Sequence, residues 1–189
     1  MRFDFQYRYL DLYFTTATIK GWKHLLKPDK YKQIITDSFE FLVKEKSVSI
    51  YGFVIMPNHF HWVWQMQGTT TLSHVQLRLM KFVAQHIKFD LIVHHPAVLE
   101  HFKVRRNDRK YQFFKEKPLS IVLYRDEVVW QKLEYIHWNP IQPKWRLAKS
   151  PEDYLYSSAA FYGGQTDRWP FLTHFWYGED WGGKHLDVR

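Results

Sequence analysis

Hydrophobic and polar positions along the chain change period several times, and the changes mark its elements. Residues 9–19 are rich in Tyr, Phe and Thr and read as a first strand. Pro28-Asp29 opens a helix whose apolar residues Tyr31, Ile34, Ile35, Phe39 and Leu42 recur at helical spacing until the charged Lys44-Glu45-Lys46. Residues 48–55 form a second strand and Pro57-Asn58 a turn. Strict alternation then runs through 59–67, with His59, His61, Val63 and Gln65 on one side and Phe60, Trp62, Trp64 and Met66 on the other. The pair reads as a hairpin. A long helix follows over about 73–93, carrying Leu77, Met80, Val83 and Ile87 on one face, and His94-His95-Pro96 ends it.

Beyond that break the pattern weakens. A basic loop runs to Lys110, with a helical turn at 97–101; 111–114 and 121–124 are candidate strands. A further helix starts at Asp126, a suitable N-cap, and stops at Asn139 before Pro140. Ser150-Pro151-Glu152-Asp153 has the composition of another helix start, with Pro at the first helical position. From Gly163 the tail is aromatic without a period. The order strand, helix, hairpin, helix, strand predicts an α+β fold, a ferredoxin-like or RRM-like sandwich. Its two helices cover one face of an antiparallel sheet and leave the other free for a ligand.

Composition narrows the class. At 189 residues the chain is most simply one domain over 1–189, with a core of about 9–162 and an aromatic tail of 163–189. With 46% hydrophobic residues it is not disordered, and with no cysteine it has no disulfide, no Cys-bound zinc and no thiol nucleophile. No apolar run reaches membrane-span length and the first residues lack a signal-peptide core, so a soluble intracellular protein and no membrane partner are expected. The formal net charge is +8. Lys103, Arg105, Arg106, Arg109 and Lys110 form one basic cluster, and Lys144, Arg146 and Lys149 a second. Basic clusters among many aromatics suit single-stranded nucleic acid, where cations meet phosphates and rings stack on bases; a merely solvated basic surface has the same composition.

His59 and His61, two imidazoles on one strand face, are half of a metal site, although an H-x-H on a strand is also met as a pair of solvated residues. On the helix 126–139, Val129, Leu133 and Ile136 make a core-facing stripe, while Tyr135 and Asn139 stack one turn apart on roughly the opposite side. His137 points elsewhere. An Asn139 amide completing the histidine site would bring the Tyr135 hydroxyl beside the metal, where it could attack a phosphodiester. On spacing alone, a half-buried tyrosine and a helix-stopping Asn-Pro remain the plainer reading.

Three blocks in one order weigh against that plainer reading. Val-Ile-Met-Pro-Asn-His-Phe-His (54–61), Leu-Glu-Tyr-Ile-His-Trp-Asn-Pro (133–140) and Ser-Pro-Glu-Asp-Tyr-Leu-Tyr-Ser-Ser (150–158) together resemble the REP-associated branch of the single-tyrosine HUH transposases. The resemblance implies an RRM-like fold, a divalent metal (Mg²⁺ or Mn²⁺) on His59, His61 and Asn139, and Tyr135 as nucleophile. It also implies a substrate of single-stranded or hairpin DNA, gripped by Lys103, Arg105, Arg106, Arg109 and Lys110 together with Lys144 and Arg146. A monomer or homodimer in the cytoplasm, associated with the nucleoid, is then expected. Where such chains continue past Asn-Pro with small residues and a glycine, this one has Gln142-Pro143-Lys144-Trp145. The alternatives are a catalytically silent, domesticated nucleic-acid binder of the same fold, and a plain RNA-binding module with exposed aromatics on its central strands.

Overall fold

The computed structural model describes residues 11–175. Four strands, β1 (Leu12–Thr18), β2 (Val48–Met56), β3 (His59–Met66) and β4 (Leu119–Val122), form one sheet in the order β2-β3-β1-β4. Every neighbouring pair is antiparallel, so β1 and β2 run the same way with β3 between them. The first and third helices expected from periodicity are α1 (Asp29–Lys44) and, after α2 (Leu72–His94) and the short α3 (Pro96–Glu100), α4 (Asp126–Trp138). This is the α+β sandwich predicted above. No helix among the described residues is long and apolar enough to cross a membrane.

Alternation in β3 divides the molecule. Phe60, Trp62 and Trp64 enter the layer under α1 and α2, where Phe39 of α1 packs against Phe53, Phe60 and Trp62. His59, His61 and Val63 face the other way, and that side is not left open. Helix α4 lies on it through Leu133 and Ile136. The approach is close because β2 has Gly52 there: a β-carbon at this position would stand 2.4 Å from Leu133 Cδ2 and 3.3 Å from Ile136 Cδ1. A register shift between Ile50 and Gly52 accompanies the contact.

Three expectations about the later chain change. Residues 111–114 are not a strand; Tyr111 and Phe114 make only isolated bridges, to Lys103 and Ile19. The Ser150-Pro151 block does not start a helix. Asp153 Oδ2 accepts from Ser150 N at 3.1 Å and the chain turns instead, sending Tyr154 and Tyr156 back against β2. There Ile55 N donates to Tyr156 O at 2.9 Å and Tyr154 Oη to Ile55 O at 2.7 Å, pairing groups that a continued helix would leave behind. The tail is also part of the core as far as residue 175: Trp169, Phe171, Leu172 and Phe175 are buried, with Trp169 and Phe171 against Phe53. Residues 9–10 of the expected first strand and 176–189 of the tail lie outside the described residues.

Candidate active site

Each histidine is held at its Nδ1. The β2–β3 turn places buried Asn58 beside His59, whose Nδ1 donates to Asn58 Oδ1 at 2.6 Å. His61 lies opposite Thr16 of β1, and its Nδ1 is hydrogen-bonded to Thr16 Oγ1 at 2.8 Å. Only His59 and His61 face α4 from this part of β3, and their ring centroids are 4.8 Å apart. They are 7% and 5% exposed. His61 Nε2 is fully buried and meets no hydrogen-bond partner among the described residues. A polar atom in that state is costly unless something else engages it.

Electrostatics keeps the pair neutral. Burial lowers the His59 pKa to about 4, with the Lys144 ammonium adding to the effect. Burial, then the neighbouring His59, then Lys132 push His61 to about 3. Neutral His59, donating from Nδ1, presents an Nε2 lone pair, and His61 does the same when its Nδ1 donates to Thr16; this is the form in which histidine ligates a divalent ion, and outer hydrogen bonds of this kind orient metal-bound histidines. The residues present therefore fit a divalent metal. No group of three or more His, Cys, Asp or Glu residues clusters among the described residues, so any further ligand these residues gave such an ion would be of another kind, such as an amide oxygen.

Helix α4 brings Tyr135 to the pair. Its ring centroid is 5.4 Å from that of His61 and 6.2 Å from that of Phe14, and the residue is 52% exposed. Asn139 is buried one turn further on, where a 3-10 turn (Asn139–Ile141) begins. His137 is half-buried and has a partner of its own: Nε2 is hydrogen-bonded to Ser158 Oγ at 2.8 Å, and desolvation takes its pKa down to about 3.

The basic clusters differ in setting. In the loop, Lys103 pairs with Glu100, Arg106 with Glu116 and Arg109 with Asp108, all exposed, and Arg105 and Lys110 are also exposed. Arg109 and Lys110 line a groove between α2 and residues 108–118 whose walls include neither His59 nor His61. Lys144 and Trp145 sit beside His59 instead, with Trp145 centred 5.8 Å from it and Lys144 Nζ 5.7 Å from the Trp145 ring; Arg146, two residues on, is exposed. Sequence reasoning missed Thr16, Asn58 and Lys132, the last half-buried with its Nζ 5.3 Å from the Phe14 ring. Asn58 lay inside the quoted block, next to His59. Thr16 and Lys132 give no local signal, because sheet register and helix docking put them there.

Among solved structures, the chain is similar to a REP-associated tyrosine transposase bound to a REP hairpin, with a TM-score of 0.58 and 13% identity over 95% of this chain and 92% of that one. A structure from Deinococcus radiodurans described as a transposase gives a TM-score of 0.44 and 12% identity over 66% of this chain and 87% of that one. No protein-family model matches the sequence, and no curated protein does. The chain has the fold of the REP-associated tyrosine transposase; at this identity the likeness speaks for fold alone.

Proposed function

We propose that this protein is a metal-dependent transposase of single-stranded DNA, nicking and rejoining hairpin or REP-type strands through a 5′-phosphotyrosine. One observation carries the reading: a buried, neutral His61 with an unpartnered Nε2, on the same face as His59, under an exposed tyrosine ring 5.4 Å away. The shared fold supports it, as does the hairpin carried by the structure it resembles.

His59 and His61 would hold the ion, with the Asn139 amide as third ligand; bound Mg²⁺ or Mn²⁺ would polarise the scissile phosphate. Tyr135 Oη attacks phosphorus, its proton passing to solvent. The bond from phosphorus to the 3′-oxygen breaks, and that oxygen takes up a proton. Attack by a 3′-hydroxyl reverses the sequence, so each bond broken is replaced and no energy source is consumed. Helix α4 would supply positioning, which can provide much of the acceleration of such an in-line step. Lys144 and Arg146, and on the loop Lys103, Arg105, Arg106, Arg109 and Lys110, would neutralise the strand. A cytoplasmic protein at the nucleoid, acting as a monomer or homodimer, follows from that substrate. The alternative, a silent binder of the same fold, lacks a reason to keep Tyr135 beside an unpartnered imidazole.

The deciding experiment incubates the full chain with labelled single-stranded hairpin DNA in Mg²⁺ or Mn²⁺ and looks for a covalent adduct on a denaturing gel. The expected result is an adduct dependent on both ion and Tyr135. Binding with no adduct across a set of hairpins would leave the silent binder standing.

A further inference from the structure

Trp22 is 55% exposed, whereas Trp62, Trp64 and Trp169 are buried. It ends a 3-10 turn (Lys20–Trp22) in which Gly21 has φ 67° and Trp22 itself φ 57°. A bulky residue in the left-handed region is strained, and persists only where its surroundings hold it. They do so here. Lys20 N donates to Phe113 O at 2.7 Å, Ile19 N to Asn58 O at 2.8 Å and Leu26 N to Pro57 O at 2.8 Å, so the loop is fastened to the hairpin end on both sides of Trp22. Asn58 Nδ2 donates to Trp22 O at 3.2 Å, and the same amide accepts from His59 at its oxygen. One side chain thus fixes both the histidine tautomer and the indole's turn.

The strained turn presents the ring to the site. Trp22 stands edge-on to His59, centroids 6.4 Å apart, and Lys115 Nζ lies 4.0 Å from the Trp22 ring centre. Lys115 is anchored by its backbone N–H to Thr18 O at 2.8 Å, and its side chain meets no carboxylate among the described residues. An exposed indole with an unneutralised ammonium matches a nucleotide's two parts, the π face of a base and its phosphate.

We propose that Trp22 and Lys115 form a nucleotide subsite beside the histidine pair, the indole stacking an unpaired base and the ammonium meeting the adjoining phosphate. The inference rests on the single-strand reading above and names where the strand's first contacts fall. Stacking is sequence-tolerant, so the subsite recognises an unpaired nucleotide rather than a particular base.

The test measures binding of the full chain to a 12-nucleotide oligothymidine and to an abasic strand of equal length, over a range of salt. Wild type should prefer the strand with bases. Trp22→Ala should weaken oligothymidine binding about 5- to 100-fold and leave the abasic strand within about twofold, with Trp22→Phe retaining most of the affinity. Lys115→Gln should lower the salt slope by about 0.7 on both strands. Equal losses on both strands in Trp22→Ala, or none, would overturn the subsite, the first marking a structural role for the Trp22–Lys115 contact. A wild-type protein that binds neither strand defeats the single-strand reading itself and the subsite with it. Normal strand binding and adduct formation by wild type, with an unaltered preference in Trp22→Ala, defeats the subsite alone.

Discussion

The two faces of β3 are one residue apart in sequence and differ in how their polar atoms are treated. Under α1 and α2, Trp64 Nε1 donates to Thr15 Oγ1 at 2.8 Å, Thr15 bonds Ser120 at 2.6 Å and Gln76 Nε2 donates to Ser120 Oγ. That chain of bonds is closed among protein groups, although the buried Trp62 indole N–H beside it meets no partner among the described residues. Under α4, both imidazoles are tied at one nitrogen, and His61 leaves its other nitrogen without a partner among the described residues. The first arrangement serves packing; under the proposed function the second serves a guest. A substitution on the first face should therefore register as stability, and one on the second as chemistry.

The largest expected effect is on the second face. Tyr135→Phe should cut adduct formation by at least about four orders of magnitude, since no other oxygen takes its place, and leave the melting temperature of this exposed position unchanged. A surviving adduct would move the nucleophile to Tyr124 or Tyr111. Next comes Trp62→Ala on the first face, expected to cost about 3–5 kcal/mol in denaturant unfolding. If its main defect were instead in cleavage by a fully stable protein, the division between faces would collapse.

Acid separates the faces too. The folded protein keeps His59 and His61 neutral, while the unfolded chain protonates them below about pH 6.5. Stability is therefore full above that pH and falls as pH drops toward about 4 for His59 and about 3 for His61. The slope is up to about 1.4 kcal/mol per pH unit for each imidazole. A His59→Gln, His61→Gln protein should lose that part of the slope; an identical acid profile would mean that burial does not hold the pair neutral. The smallest effect concerns the path of the strand. Replacing Lys132 and Lys144 by alanine should flatten the salt dependence of single-strand binding by about 1.4 units, about 0.7 for each phosphate contact. Replacing Arg105, Arg106 and Arg109 should flatten it by only about 0.7, because Arg106 and Arg109 face carboxylates. The reverse ranking would put the strand over the loop.

What the sequence made legible was whatever has a period. The β3 alternation put His59 and His61 on one face, and the helical stripe of Val129, Leu133 and Ile136 marked the side on which α4 docks, but only the resemblance joined Tyr135 to the pair, since spacing alone favoured an ordinary half-buried tyrosine. Contacts set by register had no such signal: Thr16 meets His61 only because β1 pairs with β3 as it does. The Ser150-Pro151 block carried true local helix signals, overridden by hydrogen bonds to β2 that lie nearly a hundred residues away. The tail looked structureless since aromatics that fill a gap between elements need no repeat. Charge is read differently, because a count of basic residues does not give their pairing with Glu100, Asp108 and Glu116 beside the loop.

Gly52 acts as a machinist's clearance. The distance from Tyr135 to the histidines is set where α4 rests on β2, by a methyl group that β2 does not carry. Gly52→Ala would wedge Leu133 and Ile136 outward, and the whole helix would ride higher on the sheet, carrying Tyr135 with it. Such a change touches neither the tyrosine nor either histidine. The height at which Tyr135 stands over the histidine pair is thus gauged by an atom's absence, at a residue that is none of the three.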